Sequence, residues 1–136
     1  MKRFELIEHT ADTGLIAYGS NLAEAFANAA FGLFSIIAEL KTVKEVESRQ
    51  LELNEDDTEG LLFEWLNSLI YFFDVDMLIF RRFEIDDFDG HKLKAICYGE
   101  KYDPSRHHLK TGVKSATYHM LKIDRVNNQV QVILDI

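Results

Sequence analysis

Cysteine and proline each occur once in this chain of 136 residues, and glycine only seven times. With Cys97 alone, neither an intrachain disulfide nor a cysteine-built zinc cluster can form, a usage that suits a reducing cytoplasm. The single proline, with no Ser/Gly-rich tract and no repeat at solenoid spacing, leaves no linker to read, so residues 1–136 are expected to form one domain. No apolar run reaches membrane-spanning length, and Glu5 and Glu8 interrupt the stretch after Lys2-Arg3, so neither a secretory segment nor a membrane partner is expected. Gly-x-Ser-x-Gly, P-loop and Gly-x-Gly-x-x-Gly patterns are all missing, so the chain carries no nucleotide fingerprint of its own. Positive charge is scarce: 15 Lys and Arg against 23 Asp and Glu give a net charge of −8. Such a balance repels a polyphosphate, and direct nucleic-acid binding is not expected unless the bases are segregated onto one face.

What is present is a core. Hydrophobic residues make up 47% and aromatics 12%, enough for a chain of this length to bury most of its apolar surface. Phe4–Ile7 and Gly14–Gly19 read as short strands around a polar loop. Asn21 followed by Glu24 has the form of a capping box, and Leu22, Ala25, Phe26, Ala29, Leu33, Phe34 and Ile37 recur at helical spacing, predicting a helix over Leu22–Ala38. Val46–Leu53 alternates as a strand, and Asp56-Asp57 precede a second helical pattern over Thr58–Phe73. Leu78–Phe88 and His91–Tyr102 read as a hairpin turning at Asp89-Gly90, a dipeptide suited to a type I′ turn. Lys114–Val126 and Val130–Asp135 make another pair around Asn127-Asn128. The expected fold is α+β, a two-layer sandwich with two long helices packed on a mainly antiparallel sheet. Phe26, Phe34, Trp65, Phe72 and Phe73 fit that core better than a cofactor box.

Two places could carry chemistry. The run Val130-Gln-Val-Ile-Leu-Asp-Ile136 stays strand-like up to its final carboxylate, whereas chain ends usually fray. If that strand lies beside the first two, Asp135 and the oxygens of Ile136 could meet Asp12 from the segment Glu8–Gly14. Carboxylates crowded together call for a cation, and an all-oxygen set suits Ca²⁺, Mg²⁺ or Mn²⁺ rather than Zn²⁺. The plain alternative is a solvated turn aspartate and an unrelated terminal acid. His9 could be a ligand, support one, or simply tie its own loop. Arg106 and His107, in the proline loop Asp103–His108, offer an interaction surface or an ordinary exposed loop. That loop supplies no third nitrogen or sulfur ligand for zinc. Lys114 and His119, five apart on one strand, fall on opposite faces and do not read as a dyad. Asp86–Gly90 lacks the ligand order of a calcium loop and reads as a hairpin.

Glu8-His9-Thr10-Ala11-Asp12-Thr13-Gly14, Trp65-Leu66-Asn67 after Asp56-Asp57, Gly99-Glu100, Val113–His119 and the closing Leu134-Asp135-Ile136 together resemble the archease family over essentially the whole chain. The resemblance implies a divalent-cation site on Asp12, Asp135 and Ile136, with Ca²⁺ the first choice, and sets Lys114 at a basic motif position facing a partner or an acidic group. It also implies a non-catalytic function: a cytoplasmic activator of the RtcB-type RNA ligase in tRNA splicing and RNA repair. GTP and Mn²⁺ belong to the ligase, whose guanylylation and multiple turnover the activator promotes. Thr13 stands where the family commonly has an aliphatic residue, and Ser115-Ala116 where Ala and a larger aliphatic are usual; neither change removes a ligand. The competing expectations are a metal-dependent phosphoesterase, with His9 its nearest general base, and a general chaperone.

Overall fold

The computed structural model describes residues 2–8 and 11–136. Strands β1 (Phe4–Glu8) and β2 (Asp12–Tyr18) lead into helix α1 (Leu22–Ile37); β3 (Glu47–Asn54) leads into helix α2 (Thr58–Asp76); then come β4 (Leu78–Phe88), β5 (Lys92–Lys101), β6 (Ser115–Asp124) and β7 (Gln129–Asp135). The mixed α+β fold and both helices are as expected. The strands divide between two antiparallel sheets, one ordered β1-β2-β7-β6 and the other β3-β5-β4. The helices connect them: α1 lies against β2 and β7 of the first sheet and β4 of the second, while α2 lies mainly against β6.

Local chemistry explains the helix starts. Asn21 Oδ1 accepts the Glu24 N–H at 2.8 Å, and Glu24 Oε1 accepts the Ser20 N–H at 2.7 Å, so the capping box closes one residue earlier than its usual form. Asp57 Oδ1 caps α2 by accepting the Gly60 N–H at 2.6 Å. The apolar stripe of α2 ends at Phe73, yet the helix runs on until Met77, at φ 56°, closes it with its N–H on the Phe72 and Phe73 carbonyls. A left-handed cap formed by methionine instead of glycine gives no sequence signal. The last carbonyls of α1 are met from far away, Ile37 O by the Lys110 N–H at 2.8 Å and Ile36 O by the Thr111 N–H at 3.1 Å.

The core lies between helices and sheets. Phe26, Phe34, Trp65, Phe80 and Leu15 are fully buried, and the Trp65 indole N–H reaches Phe26 O at 2.9 Å, tying α2 to α1. These aromatics are packing residues, as their spacing indicated. The β4–β5 turn corrects the sequence reading in one respect. Only Gly90, at φ 91°, has a positive φ there, so the turn is not type I′, which needs two such residues. An Asp89 carboxylate oxygen fastens it by accepting from the His91 and Lys92 N–H groups at 2.9 and 2.7 Å. No described helix is long and apolar enough to cross a membrane.

Candidate functional site

β7 is central in its sheet, with β2 on one side and β6 on the other. Its last residue, Asp135, therefore has two neighbours in register: Asp12, the first residue of β2, and Ser115, the first residue of β6. Directly opposed residues share a face, with Cβ atoms about 4.5–5.5 Å apart. Thr13 and Leu15 of β2 and Val132 and Leu134 of β7 are buried toward the helices, so Asp12 and Asp135 lie together on the outward face. The frame around them is main chain. The Lys114 N–H donates to Asp135 O at 2.7 Å, and the Ile136 N–H approaches Ala11 O at 3.4 Å, carrying the pairing to the last residue.

A second clamp comes from α2. Asn67 donates from Nδ2 to Ala116 O at 3.2 Å and accepts the Ala116 N–H on Oδ1 at 2.9 Å. β6 is an edge strand, and this amide supplies the partners its outer side lacks, holding Ser115 beside Asp135. A polar residue within the apolar pattern of α2 was the available signal, and its strand partner could not be read from the sequence.

Asp12 Oδ1 is buried, and no described group lies within hydrogen-bond reach of it. A buried carboxylate oxygen without a donor is costly, and a second carboxylate directly across the ladder adds to that cost. A divalent cation relieves both, and two carboxylates with main-chain oxygens form a hard donor set. The two opposed carboxylates therefore fit such an ion. Among the described residues no group of three or more His, Cys, Asp and Glu side chains gathers to hold a metal. On the helix side of the same sheet end, Glu8, Thr13, Ser35, Lys110 and Ile136 border a cavity of about 270 Å³.

His9 lies outside the described residues. Lys114 is exposed at the entrance of β6. The register slips between Thr117 and Lys122, with Met120 at φ 55°, so strand alternation does not relate Lys114 to His119. Arg106 and His107 are far from forming one exposed surface. The His107 side chain is buried: Nδ1 accepts the Asp103 N–H at 2.8 Å, which leaves the ring proton on Nε2 for Glu100 Oε2 at 2.9 Å. Both of its nitrogens are thus spent inside the fold, and it does not form the exposed loop surface considered from the sequence. Arg106 keeps an exposed side but forks onto Glu100 at 2.6 and 3.1 Å. Glu100, buried at 6% exposure, also accepts the Lys44 N–H at 2.7 Å. The Arg106 guanidinium, aided by those donors, holds its carboxyl down to about 2.

Fold and site together define a small α+β protein whose first two strands and last strands share one sheet, with an oxygen-donor pair at its end. The sequence matches the archease protein family (MTH1598/TM1083) over residues 4–136, and the chain belongs to that family. Protein archease of Pyrococcus abyssi is 43% identical over 129 residues, covering 93% of this chain and 91% of that one. Protein archease of Sulfurisphaera tokodaii is 40% identical over 129 residues, covering 94% and 93%. The solution structure of Methanobacterium thermoautotrophicum protein 1598 superposes with a TM-score of 0.83 at 32% identity over the whole of both chains. A Thermotoga maritima crystal structure, described as an archease and possible chaperone, shares the fold with a TM-score of 0.59 at 21% identity, over 95% of this chain and 92% of that one.

Proposed function

We propose that this protein is a non-catalytic activator of an RtcB-type RNA ligase in tRNA splicing and RNA repair, acting through a divalent-cation site on Asp12, Asp135 and the oxygens of Ile136. Membership of the archease family supports the partner role. The observation that carries the site is the opposed pair Asp12 and Asp135, with Asp12 Oδ1 buried and lacking a described donor. A bound Ca²⁺, Mg²⁺ or Mn²⁺ would supply the counter-charge to the two opposed carboxylates. The chain's own contribution is to hold the two acids by strand register and the Asn67 clamp, and to present them to the ligase on the outward face. There they favour the ligase conformation competent for guanylylation.

The test is multiple-turnover RNA ligation by a cognate RtcB-type ligase with GTP and Mn²⁺, at limiting ligase. The wild-type protein should stimulate ligation, while Asp12→Ala and Asp135→Ala, checked as folded by circular dichroism, should not. Undiminished stimulation by both variants would sink the assignment of the site. Absence of stimulation by the wild type would sink the partner reading. Protection of unrelated unfolding clients by all three proteins alike would instead favour the chaperone description given to the Thermotoga maritima relative.

A further inference from the structure

The scarce positive charges are not evenly spread. A cavity of about 650 Å³ is walled by Lys41, Lys44, Arg81 and Arg106 with Glu45. A second of about 240 Å³ shares Lys41 and Arg81 with it and adds Lys110 and Glu39. The two form one groove along the segment between α1 and β3, with five cations against two acids on a chain of net charge −8.

Three of its cations also reach neutral carbonyls, Arg106 while its guanidinium is forked onto Glu100 and so largely compensated. Arg81 Nη1 donates to Val43 O at 2.7 Å, Arg106 Nη1 to Thr42 O at 3.3 Å, and Lys110 Nζ to Ser35 O at 2.8 Å. Carbonyls orient a cation without cancelling its charge. Glu45 is shared, one carboxylate oxygen 2.7 Å from Arg82 and the other 3.7 Å from Arg81, so a single acid serves two guanidinium groups. Lys41 and Lys44 are exposed, and their ammonium groups have no described ion-pair partner. A cleft lined by one sign of charge concentrates opposite charge.

We propose that this groove binds the phosphodiester backbone of a single-stranded nucleic acid. Spaced cations along an extended groove match a chain of evenly spaced monoanions. An acidic peptide fits less well, because it must also seat its amide N–H groups, and the Thr42 and Val43 carbonyls are already taken by Arg106 and Arg81. Aromatic stacking platforms are few: Phe31 borders the smaller cavity, and its ring is covered by Arg3 at 3.6 Å. Binding should therefore show little base preference. The proposal does not depend on ligase activation, and its assay contains no ligase.

The experiment is fluorescence anisotropy of a labelled oligouridylate against the full chain over a range of salt concentrations. Lys41→Glu/Lys44→Glu is the test variant and Lys94→Glu, on β5, the control, with melting temperatures confirming both folds. Saturable binding is expected, weakened about tenfold or more by the test variant and little by the control. Lys41→Ala/Lys44→Ala should lower the log–log salt slope by roughly 1.4, at about 0.7 per lost phosphate contact on a single strand. No saturable binding at low salt would overturn the proposal, as would equal losses in test and control variants. Displacement by polyglutamate as readily as by unlabelled oligouridylate would overturn it in favour of an acidic polypeptide ligand.

Discussion

The Glu100 carboxylate gathers the Arg106 fork and the His107 ring from the loop just beyond β5 and the Lys44 N–H from the distant segment before β3. Its carboxyl lies at about 2 in the folded protein, against 4.5 as its ordinary value. A group depressed by folding contributes stability that is complete above its unfolded value and disappears as pH falls through the folded one. Glu100 should thus stabilise fully above about pH 4.5 and lose that contribution toward pH 2. Glu100→Gln keeps the shape and removes the charge, costing on the order of 2 kcal/mol near neutrality. Melting curves across this acid range should show a flatter pH dependence for the variant than for the wild type. An unchanged slope would mean that Glu100 is not the acid-sensitive group. Gly99-Glu100 stands out as a motif, but its burial carries no local mark, because a glutamate near the end of an alternating strand reads as solvated. Its donors come from segments 44 and 106–107. Asp12 and Asp135 were legible for the opposite reason: a strand pattern maintained to the last residues fixes where its acid falls.

At the scale of elements, Gly99 shows what a bulge demands. The β4–β5 register shifts between Phe80 and Arg82, and a Cβ built on Gly99 would overlap the Ile79 carbonyl oxygen and lie 2.8 Å from Phe80 Cα. Backbone on one side cannot yield as a flexible side chain would. Gly99→Ala should therefore destabilise by roughly 3 kcal/mol, read from denaturant unfolding. A loss below about 1 kcal/mol would show that the two strands separate easily there. The Asn67 clamp is a second case. Asn67→Ala leaves the Ala116 N–H and carbonyl unpaired, at a cost of roughly 2 kcal/mol, and the Ala116 amide should exchange faster with deuterium. Unaltered exchange would mean that water replaces the clamp. Helices, the β4–β5 hairpin and the final strand pair were readable because period and turn residues are local signals. The bulge over Tyr118–Leu121, the methionine cap and the division into two sheets were not. The cap is local but uses a residue type that gives no signal, while the bulge and the sheets depend on pairing between strands, as that of residue 12 with residue 135 shows.

For the molecule as a whole, the decisive fact is that β2 near the start and β7 at the end are neighbours, with their acids at the same sheet end. Anything that bridges those acids closes a loop of nearly the entire chain. A cation held by Asp12, Asp135 and Ile136 would bind the folded state and find no assembled site in the unfolded one, so it must raise global stability. At a hundred times its dissociation constant the gain is about 2.7 kcal/mol. Calorimetric melting should therefore move upward with added Ca²⁺, return to the starting value on chelation, and be indifferent to Ca²⁺ in Asp12→Asn and Asp135→Asn. The variants should begin no less stable than the cation-free wild type, since each removes one of two opposed charges. A wild-type transition indifferent to Ca²⁺, Mg²⁺ and Mn²⁺ would remove the cation from the site. The acid pair would then stand as a direct contact for a cationic group of the partner.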